Sequence, residues 1–349
     1  MKYYIAPNFE AQSGIAHYSK NFFELILKDK GYKHIALSSN DEINSIIQNI
    51  SNDDILHIEI GLGTLTEREL LFKLLDLKDV IIDITLHDPT HLKYPYYEFK
   101  SVFLNKVSKF VQHYFNFFGF GREYYKKIRT IYVLNEKGAK KVKELYGANS
   151  KYMPHILPKL SIDLDKKFTN KLQLLYIGFI GKKKGLDYAL ELHKMLLNKG
   201  LDIELKIIGK PVDKSTLQYY EELQYKYSKK TNFLGYVSNY ELKSNLVQNN
   251  IVILPTIDYK YICPTSGSVL NALQYGNVLL TTNANAITEI VKEGYNGFYL
   301  SNNLDNDVQM LQDLITNDSK LKEVSNNCII YVNENHSDII VNEYYESKK

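Results

Sequence analysis

Tryptophan is absent from the 349 residues, cysteine occurs twice, and no long apolar run interrupts the chain. Each shortage removes a class of protein. Two cysteines, Cys263 and Cys328, cannot build a disulfide framework, and they suit a reducing cytoplasm. No stretch approaches the ~20 apolar residues that span a bilayer. The N-terminal MKYYIAPNFE lacks the apolar core of a signal peptide. A cytoplasmic protein is expected. Charge of one sign is scarce too: 43 Lys and Arg against 40 Asp and Glu leave +3, too balanced to argue for a nucleic-acid partner.

What is present is 44% apolar residues, as in a soluble globular protein, on a chain long enough for two domains. Short β-branched runs alternate with helical periods. KYYIAP (2–7), HIALSS (34–39), DILHIEIG (54–61), VIIDITLHD (80–88) and TIYVL (130–134) read as strands, and 14–31 as a helix closing at Gly31. Prolines around 151–160 and a polar stretch over 161–171 interrupt the pattern, which then restarts with LQLLYIG (172–178), IELKIIG (203–209), TNFLGYV (231–237), IVILPT (251–256) and VLLTT (278–282). Strands separated by helices form parallel βαβ units. The expectation is α/β: two Rossmann-like doubly wound domains facing across a cleft, over 1–158 and 159–333, with a terminal helix over 334–349 returning to the first. Ligands of such sheets bind beyond the carboxyl ends of the strands.

The segment 252–300 carries the most chemistry. A strand ends at Pro255, and PTSGS (264–268) opens an apolar helix with Thr265 or Ser266 as N-cap. Gly267 lets a ligand approach the backbone, and the free N–H groups at such a helix start attract anions. Taken alone, the same residues are a plain helix cap. Other phosphate motifs fail: GFIGKKKG (178–185) lacks Walker spacing, and no G-x-G-x-x-G follows the first strand.

With the turn at Gly276 and the strand after it, then Glu289-Ile290-Val291 and Asn296-Gly297-Phe298, this segment resembles the donor-site signature of the family-four retaining glycosyltransferases, which have the GT-B fold. The likeness runs through SGIAHYSKNF (13–22) with its loop Gly14, His87-Asp88, Lys184-Gly185 in the phosphate loop, and the terminal ENHSDIIVNEYYES (334–347). It implies a nucleotide-sugar donor bound by Gly14, Lys183, Thr265, Ser266, Gly267, Ser268, Asn271 and Glu289. His87 and Lys184 become the catalytic candidates: a histidine at a strand end to meet the donor sugar, and a lysine to stabilise the departing diphosphate. Glu59 and Asp88 are acceptor-side candidates, whereas His57 reads as structural. No metal or cofactor is expected, since no Asp-x-Asp stands at a cleft-facing strand end and the pair Asp163 and Asp165 lies in the polar linker.

Three positions depart from the family pattern. Its two signature glutamates fall at Cys263 and Asn271, and its loop arginine falls at Phe179. Asn271 still offers a ribose a hydrogen bond, without the charge, and Lys182 and Lys183 are candidates to replace the lost arginine. These departures keep a second reading open, a degenerate subunit that binds acceptor for an active partner. Finally, Phe103, Val107, Phe110, Val111, Tyr114 and Phe118 share one helical face within 99–129, with Lys106, Lys109 and His113 opposite. That face either packs on the sheet or docks peripherally on the inner face of a membrane carrying a lipid-linked acceptor. The resemblance as a whole implies a hexosyltransferase passing sugar from a UDP- or GDP-linked donor to a glycan or lipid-linked acceptor in bacterial cell-surface assembly.

Overall fold

The structure, a computed structural model, describes the chain except residues 62, 78, 90–91, 93–100, 102, 105, 109, 112–121, 161–172, 212, 228–230, 258–264, 285 and 348–349. Its contacts divide it into two compact units: Met1–Pro158 with Lys260–Thr265 and His336–Lys349, and Lys159–Tyr259 with Ser266–Asn335.

The first unit is a six-stranded parallel sheet, β1 (Lys2–Ile5), β2 (Lys33–Ile35), β3 (Ile55–Ile60), β4 (Ile81–Leu86), β5 (Thr130–Val133) and β6 (Ser150–Tyr152), in the order 2-1-3-4-5-6. β-Branched residues fill its centre: Ile58, Ile60, Ile82, Ile84 and Ile131 are fully or almost fully buried. Helix α1 (Gly14–Phe22) begins at Ser13, whose hydroxyl accepts from the Ala16 N–H. It continues as a wider turn, Phe23–Leu27, closed by the Lys28 N–H to the Phe23 carbonyl. The helix expected over 14–31 therefore changes pitch midway, and Gly31, at φ +81°, ends it.

The second unit holds β7 (Gln173–Ile177), β8 (Glu204–Ile208), β9 (Thr231–Gly235), β10 (Ile251–Leu254), β11 (Val278–Thr281) and β12 (Gly297–Tyr299), parallel and ordered 12-11-10-7-8-9. Counted from its own first strand this is 3-2-1-4-5-6, a doubly wound order. Both sheets thus reverse direction at one point, between β1 and β3 in the first unit and between β7 and β10 in the second. The crevice at such a switch point is where open α/β sheets take their ligands.

The C-terminal helix, Asp338–Glu346, is held in the first unit: Val341 is buried in a cluster with Tyr4, Phe22 and Tyr132, the Tyr345 carbonyl accepts from Tyr132 Oη, and Lys30 pairs with Glu346. Within 99–129, Phe103 and Phe110 are each 72% exposed, and Leu104, Val107 and Val111 are exposed with them. The reading that this face packs on the sheet fails for these residues. Tyr114, Phe118, Lys109 and His113 lie outside the described residues. No described helix is long and apolar enough to cross a membrane.

Candidate functional site

In the second unit, β7 is followed directly by Gly178, which sits at φ +125°. A Cβ there would come within 2.8 Å of Ser268 Oγ, so this loop lies directly on the start of the helix Gly267–Gln274. The chain then makes one tight turn, Lys182–Lys184, and passes through Gly185 at φ +70°. A side chain at Gly185 would meet the Pro255 carbonyl oxygen at 2.0 Å, so only glycine allows the turn to approach the end of β10 this closely. Its backbone is pinned on two sides, by Ile257 N–H to the Lys183 carbonyl (2.9 Å) and by Tyr176 Oη to the Lys184 carbonyl (3.2 Å).

Lys184 is the unusual member of this group. Burial pushes its ammonium below the ordinary lysine range, and among the described residues its side chain has no hydrogen-bond or ion-pair partner. An ammonium kept from water without a counter-charge is costly, and an incoming anion relieves that cost. Lys182 and Lys183 on the same turn are exposed.

The helix beside it is capped by Ser266, whose hydroxyl accepts from the Val269 N–H. Of the two caps expected, Thr265 is not the one used. Its hydroxyl donates to the Leu134 carbonyl (2.6 Å) and accepts from Asn135 Nδ2 (3.1 Å), both in the first unit, to which Thr265 belongs. Asn271 stands one turn beyond Gly267 and Ser268, half-buried and with no side-chain partner among the described residues. Glu289 is carried on a separate short helix, Ile287–Ile290, and its carbonyl accepts from Tyr331 Oη. Phe179 is 36% exposed next to Gly178 and offers no charge, while Cys263 lies outside the described residues.

In the first unit, His87 follows β4 directly, its N–H bonded to the Ile60 carbonyl at 2.9 Å. Gly61 leaves room for it: a Cβ there would meet Ile15 Cδ1 at 2.5 Å and His87 Cβ at 3.1 Å. The first turn of α1 and the ends of β3 and β4 therefore meet at His87. Gly14 itself opens α1 with free space where a Cβ would stand. Tyr18, one turn on, sets its ring edge-on to His87 at 4.9 Å and to His155 at 4.9 Å.

Glu59, read from the sequence as an acceptor-side group, is instead fully buried. Its Oε1 accepts from Tyr4 Oη (2.8 Å), and its Oε2 lies 2.7 Å from His87 Nε2. Asp88 is buried as well, close enough to Tyr146 to raise that phenol further. His57 is the structural residue expected: fully buried, its Nε2 2.7 Å from Thr85 Oγ1, with burial lowering its basicity so that it stays neutral. Tyr4, Tyr18 and His155 were missed from the sequence. Only the tertiary fold gathers them around His87, and their local patterns are those of ordinary core residues. Among the described residues no group of three or more His, Cys, Asp or Glu is placed to hold a metal ion.

Residues 162–334 match the family model described as glycosyl transferases group 1, so this stretch is a glycosyltransferase domain. No curated protein matches the sequence. Among solved structures, Anabaena Alr3699/HepE in complex with UDP and glucose superposes with a TM-score of 0.71 at 9% identity, over 98% of this chain and 97% of its own. Sucrose-phosphate synthase from Thermosynechococcus elongatus gives 0.70 at 11%, over 98% and 96%. TarM of S. aureus gives 0.65 at 14% over 87% of this chain, which spans only 56% of the TarM chain. At these identities the likeness is one of fold, and the fold is GT-B.

Proposed function

We propose that this chain, which carries a glycosyltransferase domain, is a retaining hexosyltransferase of the family-four kind. Its donor is a UDP- or GDP-linked sugar, and its acceptor is a glycan or a lipid-linked glycan in bacterial cell-surface assembly. The single observation that carries the reading is Lys184, a partly buried ammonium without a partner among the described residues, on a turn whose neighbours Gly178 and Ser268 are in contact. A diphosphate supplies the missing counter-charge, and the Ser266-capped helix start adds N–H donors to it. HepE, of similar fold, is described in complexes with UDP and with UDP-glucose, which favours a nucleotide-sugar here.

His87 acts at the sugar, and Asn271 takes a ribose hydroxyl as a neutral partner. The exposed apolar residues Phe103, Leu104, Val107, Phe110 and Val111 serve as a peripheral membrane contact for a lipid-linked acceptor. Leaving-group stabilisation falls to Lys184 and the helix start, and acceptor recognition to the first unit.

The test is a screen of common UDP- and GDP-sugars against the intact chain, reading thermal stabilisation and release of nucleotide. A ligand at a hundred times its Kd adds about 2.7 kcal/mol to apparent stability, so a binder shifts the melting midpoint visibly. Neither stabilisation nor release with any of them would remove the proposal.

A further inference from the structure

We propose that Glu59 is a positioning residue for His87, holding its ring as the Nε2–H tautomer and leaving Nδ1 as the nitrogen that meets substrate. The inference rests on the reading of His87 as the group acting at the sugar.

The argument begins with burial. Glu59 has no exposed surface, and a carboxylate taken from water needs donors to remain there as an anion. It has two, one for each oxygen: Tyr4 Oη at 2.8 Å and His87 Nε2 at 2.7 Å. A carboxylate only accepts, so the proton between Glu59 and His87 belongs to Nε2. The ring is 14% exposed, in contrast to its partner, and Nδ1 is its remaining nitrogen. A buried carboxylate behind an imidazole fixes both its tautomer and its plane, and it stabilises the ring when a proton arrives on the other side.

The surrounding groups do not compete for this role. His57 Nε2 lies 3.8 Å from Glu59 Oε1, but its short bond is to Thr85. Asp83, next along β4, is taken by Arg129. Tyr18 meets His87 with the two rings nearly perpendicular at 4.9 Å, and His155, at the same distance from Tyr18, has its Nδ1 3.1 Å from the Ile156 carbonyl oxygen. Tyr4 supports Glu59 rather than His87.

The chain contains nine histidines, so the His87 signals are assigned by their loss in His87→Ala. Imidazole 15N NMR on the unliganded protein is expected to show His87 as the Nε2–H tautomer. Glu59→Gln is expected to shift it toward Nδ1–H, because the amide presents an N–H₂ as well as one oxygen. With UDP-glucose as the probe, kcat for UDP release in Glu59→Gln should fall about a hundredfold or more, while KM and UDP affinity move less than about threefold.

A wild-type His87 found as Nδ1–H would overturn the inference without any variant. So would a Glu59→Gln protein with unchanged tautomer, or with unchanged turnover where His87→Ala has lost its own. Normal turnover in His87→Ala would instead remove the assigned role of His87, and the tautomer alone would then decide whether Glu59 orients the ring.

Discussion

His87 and Asn271 represent two kinds of residue in this chain, one held by its neighbours and one left open. His87 is held by Glu59 on one side and Tyr18 on another, and in the proposed role it acts on the sugar rather than on the nucleotide. His87→Ala is expected to lower turnover by about 10²-fold or more with UDP affinity nearly unchanged; a variant with normal turnover would return His87 to a structural role. Asn271 has no side-chain partner among the described residues, and a carboxylate is the stronger acceptor for a ribose hydroxyl. Asn271→Glu should therefore tighten UDP binding, and weaker binding in a titration would place the ribose elsewhere. That His87 follows a strand and that Ser266 opens a helix were legible in the sequence, because local pattern has positional meaning there. The burial of Glu59 was not. Alternation along β3 gives two faces without saying which one meets α1, and only the packing of Tyr4 and Tyr18 decides it.

The strands were legible wherever β-branched residues cluster: of the twelve among the described residues, nine fall within runs read from the sequence and Lys33–Ile35 overlaps one. The two missed, Ser150–Tyr152 and Gly297–Tyr299, are three-residue edge strands with little apolar pattern of their own; pairing with β5 and β11 creates them. At this scale the turn Lys182–Lys184 and the Gly185 that follows it offer a sharp test. Gly185→Ala would place a Cβ 2.0 Å from the Pro255 carbonyl at a φ of +70°. The expected outcome is a loss of about 1–3 kcal/mol in denaturant stability together with weakened UDP binding, and an unaltered unfolding midpoint would contradict the close approach. The exposed face at 103–111 has its own prediction. Phe103→Ser with Phe110→Ser should reduce co-sedimentation with vesicles of mixed zwitterionic and anionic lipid while leaving UDP binding intact. Equal sedimentation would leave that face without a membrane role.

For the molecule as a whole, the buried histidines of the first unit predict sensitivity to acid. Burial lowers His57, His155 to about 3 and His336 to about 4, so all three are neutral when folded at neutral pH. In the unfolded chain they take up protons near the ordinary histidine value of about 6.5. The stability they leave intact is thus fully present above that value and is lost as pH falls toward about 4, at up to about 1.4 kcal/mol per pH unit for each histidine. The melting midpoint should drop between pH 7 and 5, and a flat profile would contradict their neutral burial. The two-unit organisation was legible in the sequence through the interruption near 151–171 and the restart of alternation after it, whereas the membership of Thr265 in the first unit was not. Nothing in the local pattern of PTSGS sets its threonine apart from its serines. The central claim, a nucleoside diphosphate held at Lys184 and the start of the helix Gly267–Gln274, is tested most directly by calorimetric titration of UDP and GDP into the wild-type chain and Lys184→Ala. One of the two nucleotides should bind the wild type, and its affinity should fall in the variant by about 1.5–3 kcal/mol, roughly ten- to a hundred-and-fifty-fold. Equal affinity in both proteins, or no binding of either nucleotide to the wild type, would contradict it.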